Sequence, residues 1–295
     1  MRLGLVTPVV TRHPANDAPW TEAAGPEEIA AIARAADDLG DHHLTCSEHV
    51  AIPTAAAATR GTRYYDPLAT LAYVAAITRR IRLVSHVLVL GYHHPLAIAK
   101  RWGTLDRLSG GRVVLGVGVG TLREEFALLG APFEGRGDRY EDALRALRAA
   151  FGRPAPSYAG THYDFDGFVV DPCGVQRNVP IWLGGRTRRS LRRALASGDG
   201  WDPFGLELDA LAAMLAWARE RPEWGARTRP FDVVFPIDRR LDPTRAADRE
   251  RLADRLADYA AAGATVVNLR FEHRSLAHYL DQLAAVASEI APRVG

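Results

Sequence analysis

The stretch Leu108-Ser109-Gly110-Gly111-Arg112-Val113-Val114-Leu115-Gly116-Val117-Gly118-Val119-Gly120-Thr121-Leu122-Arg123-Glu124-Glu125-Phe126 reads as a turn, a strand, a glycine-rich exit and a short helix. Ser109-Gly110-Gly111 makes the turn, because glycine takes positive φ without steric cost. Arg112 to Val119 is a nearly continuous run of Val, Leu and Gly. Such a run suits a strand buried on both faces, as in a parallel sheet. Gly116, Gly118 and Gly120 recur at every second residue, so one face of the strand is bare backbone. Two readings follow: the glycines permit tight packing in a barrel, or they let a ligand approach. Thr121 is expected to cap the following helix, with Glu124 as its capping-box partner. A glycine-ended strand followed by a helix N-terminus also suits an anionic or flat ligand.

The chain around this stretch has 295 residues, 47% of them hydrophobic, which is enough for one large core. Its 37 basic and 35 acidic residues are interspersed, giving a net charge of +2, and no basic block points to nucleic acid. Lys100 is the only lysine; the Ala, Arg, Asp and Gly bias reflects a GC-rich genome rather than a function. Two cysteines, Cys46 and Cys173, make neither a disulfide framework nor a zinc site. Cys46 lies in an apolar run and is expected to be a small buried hydrophobe. No run approaches the roughly 20 apolar residues of a membrane span, and Met1 to Pro8 is too short for a signal peptide. A soluble cytoplasmic protein is expected.

Strand and helix signals alternate outward in both directions. Strands are expected at Leu3–Val6, His43–Ser47, Ile81–Leu90, Arg112–Val119, Pro180–Leu183, Gly198–Trp201, Phe231–Ile237 and Thr265–Phe271. Helices are expected between them, among them Pro26–Leu39 with its apolar stripe and a terminal Gly40. Asp66-Pro67 and His94-Pro95 open two more, and Arg245–Ala262 turns Leu252, Leu256 and Tyr259 inward. The last helix is expected at Leu276–Ile290. Eight strand-then-helix units predict an α/β fold, a TIM (β/α)8 barrel, as one domain over 1–295. A doubly wound open sheet is the runner-up, disfavoured because no dinucleotide fingerprint follows the first strand. Between Gly152 and Val179, prolines and glycines punctuate aromatic residues, which predicts an inserted hairpin or flap.

A TIM barrel carries its site where its strands end. That rule selects Thr7, Glu48-His49, Ser85-His86, Gly118 to Thr121, Gly184 to Thr187, Asp202 and Glu272-His273. Glu48-His49 is the sharpest pair, since a charged residue beside a proton-exchanging histidine ends an apolar strand. The alternative is that the two satisfy each other at a loop start. Ser85-His86 interrupts an apolar strand and reads as a bulge or an inward-facing site, or as a buried histidine with a backbone partner. His93-His94 lacks the spaced partners of a metal site and reads as a helix start; no metal is expected. Gly184-Gly185-Arg186-Thr187 at a helix N-terminus is the best anion site.

Taken together, these motifs resemble the bacterial luciferase-like monooxygenase family, and most of all its actinobacterial branch using the deazaflavin coenzyme F-420. The resemblance rests on Ser47-Glu48-His49, Ile81-Arg82-Leu83 through Leu90, His94-Pro95, and Thr104 to Arg112 running into Gly116–Gly120. It also rests on Arg123-Glu124-Glu125-Phe126, Leu129-Gly130, Pro132-Phe133, Pro180 to Gly185 and Gly198-Asp199-Gly200-Trp201. It is close over residues 1 to 205 and beyond them holds only in barrel pattern. It implies a tricyclic cofactor across the strand ends, with a third-strand bulge, often bearing a non-prolyl cis peptide, backing the ring at Ser85, His86 and Val87. His86 stands where relatives commonly have a small residue. The implied catalytic pair is Glu48 and His49, with His49 exchanging a proton and Glu48 polarising it or contacting the ring. The cofactor's phosphate tail would run over Gly118, Val119, Gly120, Thr121, Gly184, Gly185, Arg186 and Thr187. His13, Tyr158 and Tyr163 would line the pocket for a small-molecule substrate, and relatives often form homodimers. The implied reaction is hydride transfer between F-420 and a small organic substrate. An FMN-dependent monooxygenase using reduced flavin and oxygen is the alternative, and a non-catalytic flavin- or deazaflavin-binding protein the second. The loops at Thr11–Gly25 and Val50–Tyr65 and the flap would set the substrate.

Overall fold

Val113–Gly118 is buried at every position, as a strand in the middle of a parallel sheet must be. In the computed structural model, which describes residues 1–14 and 18–294, it is β4 of a closed barrel. Ala15, Asn16 and Asp17 of the Thr11–Gly25 loop, and Gly295, lie outside the described residues. The barrel strands are β1 Arg2–Leu5, β2 His43–Cys46, β3 Arg82–Val89, β4, β5 Ile181–Gly184, β6 Gly200–Asp202, β7 Asp232–Pro236 and β8 Val266–Leu269. Each pairs in parallel with its neighbours in sequence, and Leu5 against Leu44 and Arg2 against Val266 close the ring. The main helices are α1 Pro26–Leu39, α2 Pro67–Ile77, α3 Pro95–Leu108, α4 Arg136–Ala150, α5 Arg188–Ser197, α6 Leu208–Arg219, α7 Ala246–Ala262 and α8 Leu276–Ala285. This is the expected (β/α)8 barrel.

Local chemistry explains the joints. Asp66 caps α2 by accepting from the Ala69 N–H, with Pro67 at the first helical position. Gly110 and Gly111, both at positive φ, turn α3 into β4. Arg112 then lies buried on the N-terminal face. It donates to Ser109 O, Ile81 O and Thr78 Oγ1, and to the carbonyls of Ala75 and Thr78 at the end of α2. A cation there meets the negative end of the helix dipole as well as its unpaired carbonyls.

The barrel interior is a separate cluster of Val84, Val114, Trp182, Val234 and Val266. The His43 ring stands edge-on to Trp182 in this interior, at a centroid distance of 5.3 Å. Gly4 provides its room: a Cβ there would lie 2.0 Å from the imidazole. Cys46 is buried, and burial pushes its thiol up to about 12.

Two expectations are corrected and a third is met. Thr121 is exposed and caps nothing: the short helix Arg123–Leu128 starts after Leu122 without a side-chain cap, so no capping box with Glu124 forms. The final helix does not run unbroken to Ile290. After α8 it widens into a π-helical turn, Val286–Ile290, and ends at Ala291–Val294. The expected insertion is present as a hairpin of Tyr158–Ala159 and Asp164–Phe165, and it lies against α4. Asp142 of α4 holds it, accepting from Tyr158 Oη (2.6 Å) and from the His162 and Tyr163 N–H groups (2.7 and 3.1 Å).

Candidate active site

The C-terminal ends of the strands gather the expected residues. Strand β3 is bulged. Ser85 pairs with Leu115, but the next pair is Leu88 with Val117, and the His86–Val87 peptide between them is cis. Ser47 at the end of β2 holds the bulge by donating from Oγ to His86 O at 2.8 Å, and Ser85 Oγ donates to Gly116 O. The alternating glycines of β4 receive this bulge. A Cβ at Gly116 would lie 2.0 Å from Ser85 O, and one at Gly118 2.7 Å from Val87 Cγ2. Of the two readings of that bare face, packing explains Gly116 and Gly118. At Gly120 a Cβ would meet Phe126 and Val89 instead. Gly184 has ordinary space around it, its nearest neighbours being Val87 Cγ1 and Val117 O at 3.4 Å. Val87 is therefore a half-buried apolar wedge between the ends of β4 and β5.

Glu48 and His49 do not pair with each other. Glu48 is buried and accepts from the Val89 N–H (2.6 Å) through Oε2, while Oε1 meets His93 Nε2 at 2.7 Å. It fastens β2 to the exit of β3, which corrects the expectation that it polarises His49. His49 instead places Nδ1 2.8 Å from Glu125 Oε2. Glu125, on the short helix after β4, is fully buried. It also accepts from Tyr92 Oη (2.8 Å) and from the Val50 and Ala51 N–H groups (2.6 and 3.2 Å). Burial alone would raise its carboxyl; His49, Tyr92 and the backbone donors outweigh that and hold it below its ordinary value. Burial beside this carboxylate pushes the Tyr92 hydroxyl well up, so Tyr92 stays a donor. A carboxylate on Nδ1 makes Nδ1 the protonated nitrogen of a neutral ring and leaves Nε2 as the basic one. The His49 ring rests edge-on against Tyr64 with centroids 4.6 Å apart.

Across the mouth, His86 Nε2 lies 2.9 Å from Asp202 Oδ2 at the end of β6. Asn268 Nδ2 of β8 is 3.4 Å from the same nitrogen. Two residues beyond Asn268, Arg270 continues the inward period of β8. Among the described residues its Nε is buried without a hydrogen-bond partner, and burial, with Arg240 nearby, lowers its guanidinium despite Asp202.

The expected anion site is arranged differently from its prediction. Thr187 caps α5: its Oγ1 accepts from the Ser190 N–H, and Ser190 Oγ in turn accepts from the Thr187 N–H. Its hydroxyl is thereby engaged. Gly185 has φ +127, and Arg186 is exposed with its guanidinium 5.6 Å from the Phe204 ring centroid. Val119 and Gly120 are half-buried. Tyr158 and Tyr163 are held on the flank of α4, with Tyr163 edge-on to His94 at 5.5 Å. His13 follows the small ribbon Thr11–Arg12 with Arg63–Tyr64. His94 caps α3 and His93 serves Glu48. Among the described residues no group of three or more His, Cys, Asp or Glu is placed to hold a metal ion. Glu125, His93 and Asn268 were missed in sequence. Only Glu125 carried a signal, as an acid on the same short amphipathic turn as Phe126.

The mouth of the barrel thus combines a bulged third strand with a histidine oriented by a buried carboxylate. The chain belongs to the luciferase-like monooxygenase family, which it matches over residues 1–292. It is 30% identical to an uncharacterised protein of Mycobacterium tuberculosis over 274 residues, covering 87% of this chain and 92% of that protein. It is 29% identical over 242 residues to an F-420-dependent glucose-6-phosphate dehydrogenase of Nocardia farcinica, covering 78% and 70% respectively. In structure it is similar to a monooxygenase of Streptomyces bottropensis, with a TM-score of 0.77, 21% identity and full coverage of both chains. Among the described residues no helix is long and apolar enough to cross a membrane.

Proposed function

We propose that this chain is an oxidoreductase that moves a hydride between coenzyme F-420 and a small organic substrate, with His49 handling the accompanying proton. The observation that carries the proposal is the His49–Glu125 couple. Glu125 holds Nδ1, so the basic Nε2 is the atom that can take a proton from a substrate hydroxyl. The similarity to the F-420-dependent dehydrogenase of Nocardia farcinica supports the choice of cofactor.

The residues at the mouth fit a flat ring with a polar edge. Val87 offers an apolar wedge, and the buried Nε of Arg270 lacks an acceptor among the described residues. Gly120, Thr121 and Gly184 to Arg186 would hold the phosphate tail. When bound, the deazaflavin supplies a two-electron hydride acceptor or donor. In the oxidising direction the deazaflavin would supply the acceptor for the substrate's hydride, and His49 Nε2 would take the proton of the substrate O–H. Glu125 stabilises the imidazolium that results, through a charge-assisted hydrogen bond.

The test is a fluorescence titration with F-420, with FMN as competitor. Quenching by F-420 that FMN does not reverse is the expected result. Binding of FMN alone would replace the proposal with the flavin-dependent monooxygenase, and binding of neither would end it.

A further inference from the structure

A chain of buried polar groups runs through the inside of the barrel, from the start of β2 to the mouth. His42 Nδ1 lies 2.9 Å from His43 Nδ1, and His43 Nε2 is 2.7 Å from Asn268 Oδ1. Asn268 Nδ2 is 3.4 Å from His86 Nε2, and His86 Nε2 is 2.9 Å from Asp202 Oδ2. His43 and Asn268 have no exposed surface. Burial, aided by Arg2 and Arg82, pushes His42 down to about 3, and burial with His42 beside it holds His43 well below its ordinary value. Both rings are therefore neutral, and each carries one proton.

That constraint leaves two ways to place the protons. With the Asn268 amide oriented as above, its NH2 donates to His86 Nε2. His86 then carries its proton on Nδ1, and two lone pairs face each other across the 2.9 Å between His86 Nε2 and Asp202 Oδ2. Asp202 Oδ2 is buried and receives no hydrogen bond in that arrangement. A buried carboxylate oxygen without a donor is costly. Turning the amide by 180° exchanges its oxygen and nitrogen with no change of shape. Every bond in the chain then reverses. His86 Nε2–H faces both Asp202 Oδ2 and the Asn268 oxygen. The Asn268 NH2 donates to His43 Nε2, and His43 Nδ1–H donates to His42 Nδ1. Each of these close pairs then joins a donor to an acceptor, and Asp202 gains its partner.

We propose that His86 is a tautomer-locked hydrogen-bond acceptor at the barrel mouth. Asp202 takes its Nε2–H, the Asn268–His43–His42 column backs that arrangement, and Nδ1 presents a lone pair to an N–H or O–H group of the bound ligand. His86 is one-fifth exposed, and among the described residues nothing hydrogen-bonds its Nδ1. The identity of that ligand rests on the function proposed above; the tautomer does not. The assignment gives the two histidines opposite polarity. Glu125 holds the proton of His49 on Nδ1, whereas Asp202 holds that of His86 on Nε2.

Long-range 1H–15N correlation spectra of 15N-histidine-labelled protein at neutral pH test this, with His86→Gln assigning the His86 signals by their loss. The Nε2–H pattern is expected in the ligand-free protein, and a switch towards Nδ1–H in Asp202→Asn, whose amide can donate to Nε2. An Nδ1–H or doubly protonated His86 in the unsubstituted protein overturns the proposal without reference to any variant's folding. Addition of F-420 is expected to shift the His86 Nδ1 resonance and leave Nε2 in place. F-420 bound by fluorescence with Nδ1 unmoved overturns the ligand contact alone. Failure of both F-420 and FMN to bind overturns the proposed function and that contact together, while the ligand-free spectrum still decides the tautomer.

Discussion

At the scale of single residues, the mouth separates two jobs that its neighbouring acids and histidines could have shared. Glu48 is structural, tying the β2 exit to the Val89 N–H and His93, while Glu125 reaches across 76 positions of sequence to orient His49. Replacing His49 by Ala is expected to lower turnover by about 10²–10⁴, the usual contribution of a general acid or base. The F-420 dissociation constant should stay within a few-fold, and unchanged turnover with normal binding would remove His49 from the mechanism. Glu125→Gln is expected to lower turnover about 10²-fold as the charge behind the imidazolium is lost. A steady-state comparison showing a raised KM with full kcat would make Glu125 a binding residue instead. Glu48 and His49 were legible in sequence because polar residues have no packing reason to end an apolar strand. Their partners were not, because which carboxylate meets which imidazole is decided by elements far apart in the chain.

Among the elements, β3 and β4 form the unit on which the mouth is built. The bulge of β3 pushes Ser85 O and Val87 against β4, and only bare backbone accepts them. Gly116→Ala places a methyl group where Ser85 O stands, so a loss of at least about 1–3 kcal/mol is expected from overpacking. Gly184→Ala, with 3.4 Å of clearance, is expected to change the urea midpoint far less. Equal effects would show that the bulge yields and that Gly116 is not required by packing. The hairpin is a second such unit. Asp142→Ala removes the acceptor for Tyr158 and two backbone N–H groups, a loss of about 1–3 kcal/mol. Cleavage of the 152–179 segment by a broad-specificity protease should speed up, and an unchanged rate would mean that apolar packing alone holds it. The insertion itself was legible from its prolines, glycines and aromatics. Its docking on α4 was not, since Asp142 is one of several acids on that helix and nothing local marks it.

For the whole molecule, buried carboxylates tie distant segments together and set its response to acid. Asp37 receives the N–H groups of Arg79, Arg80 and Ile81. Asp242 holds Thr244, Gln282 and His278. Burial opposes ionisation at Asp37, Glu125, Asp142 and Asp242, and their hydrogen bonds outweigh it. Asp142 and Asp242 are brought to about 2, and Asp37 and Glu125 are lowered. Depressed native values mean that the stabilisation is fully present above the ordinary carboxylate range of about 4 and is lost as pH falls from there towards 2. Urea midpoints should therefore fall progressively below about pH 4 as these carboxylates are protonated on unfolding. A midpoint that is flat down to pH 2.5 would contradict this account.

The alternation of eight apolar strands with amphipathic helices determined the barrel without any tertiary information. Period-two and period-3.6 burial are local properties, and short right-handed crossovers leave few ways to assemble them. The strand-end rule likewise picked out Glu48, His49, His86 and Asp202 as residues of the mouth. Tertiary structure alone decided what each of them does. It gave His49 to Glu125 and Glu48 to His93, and filled the bare face of β4 with the β3 bulge. It also threaded His43 and Asn268 through the interior to His86. The physical reason is that a hydrogen bond or a close packing contact depends on distances of a few tenths of an ångström. The side chains concerned come from different strands, and only closure of the barrel sets those distances.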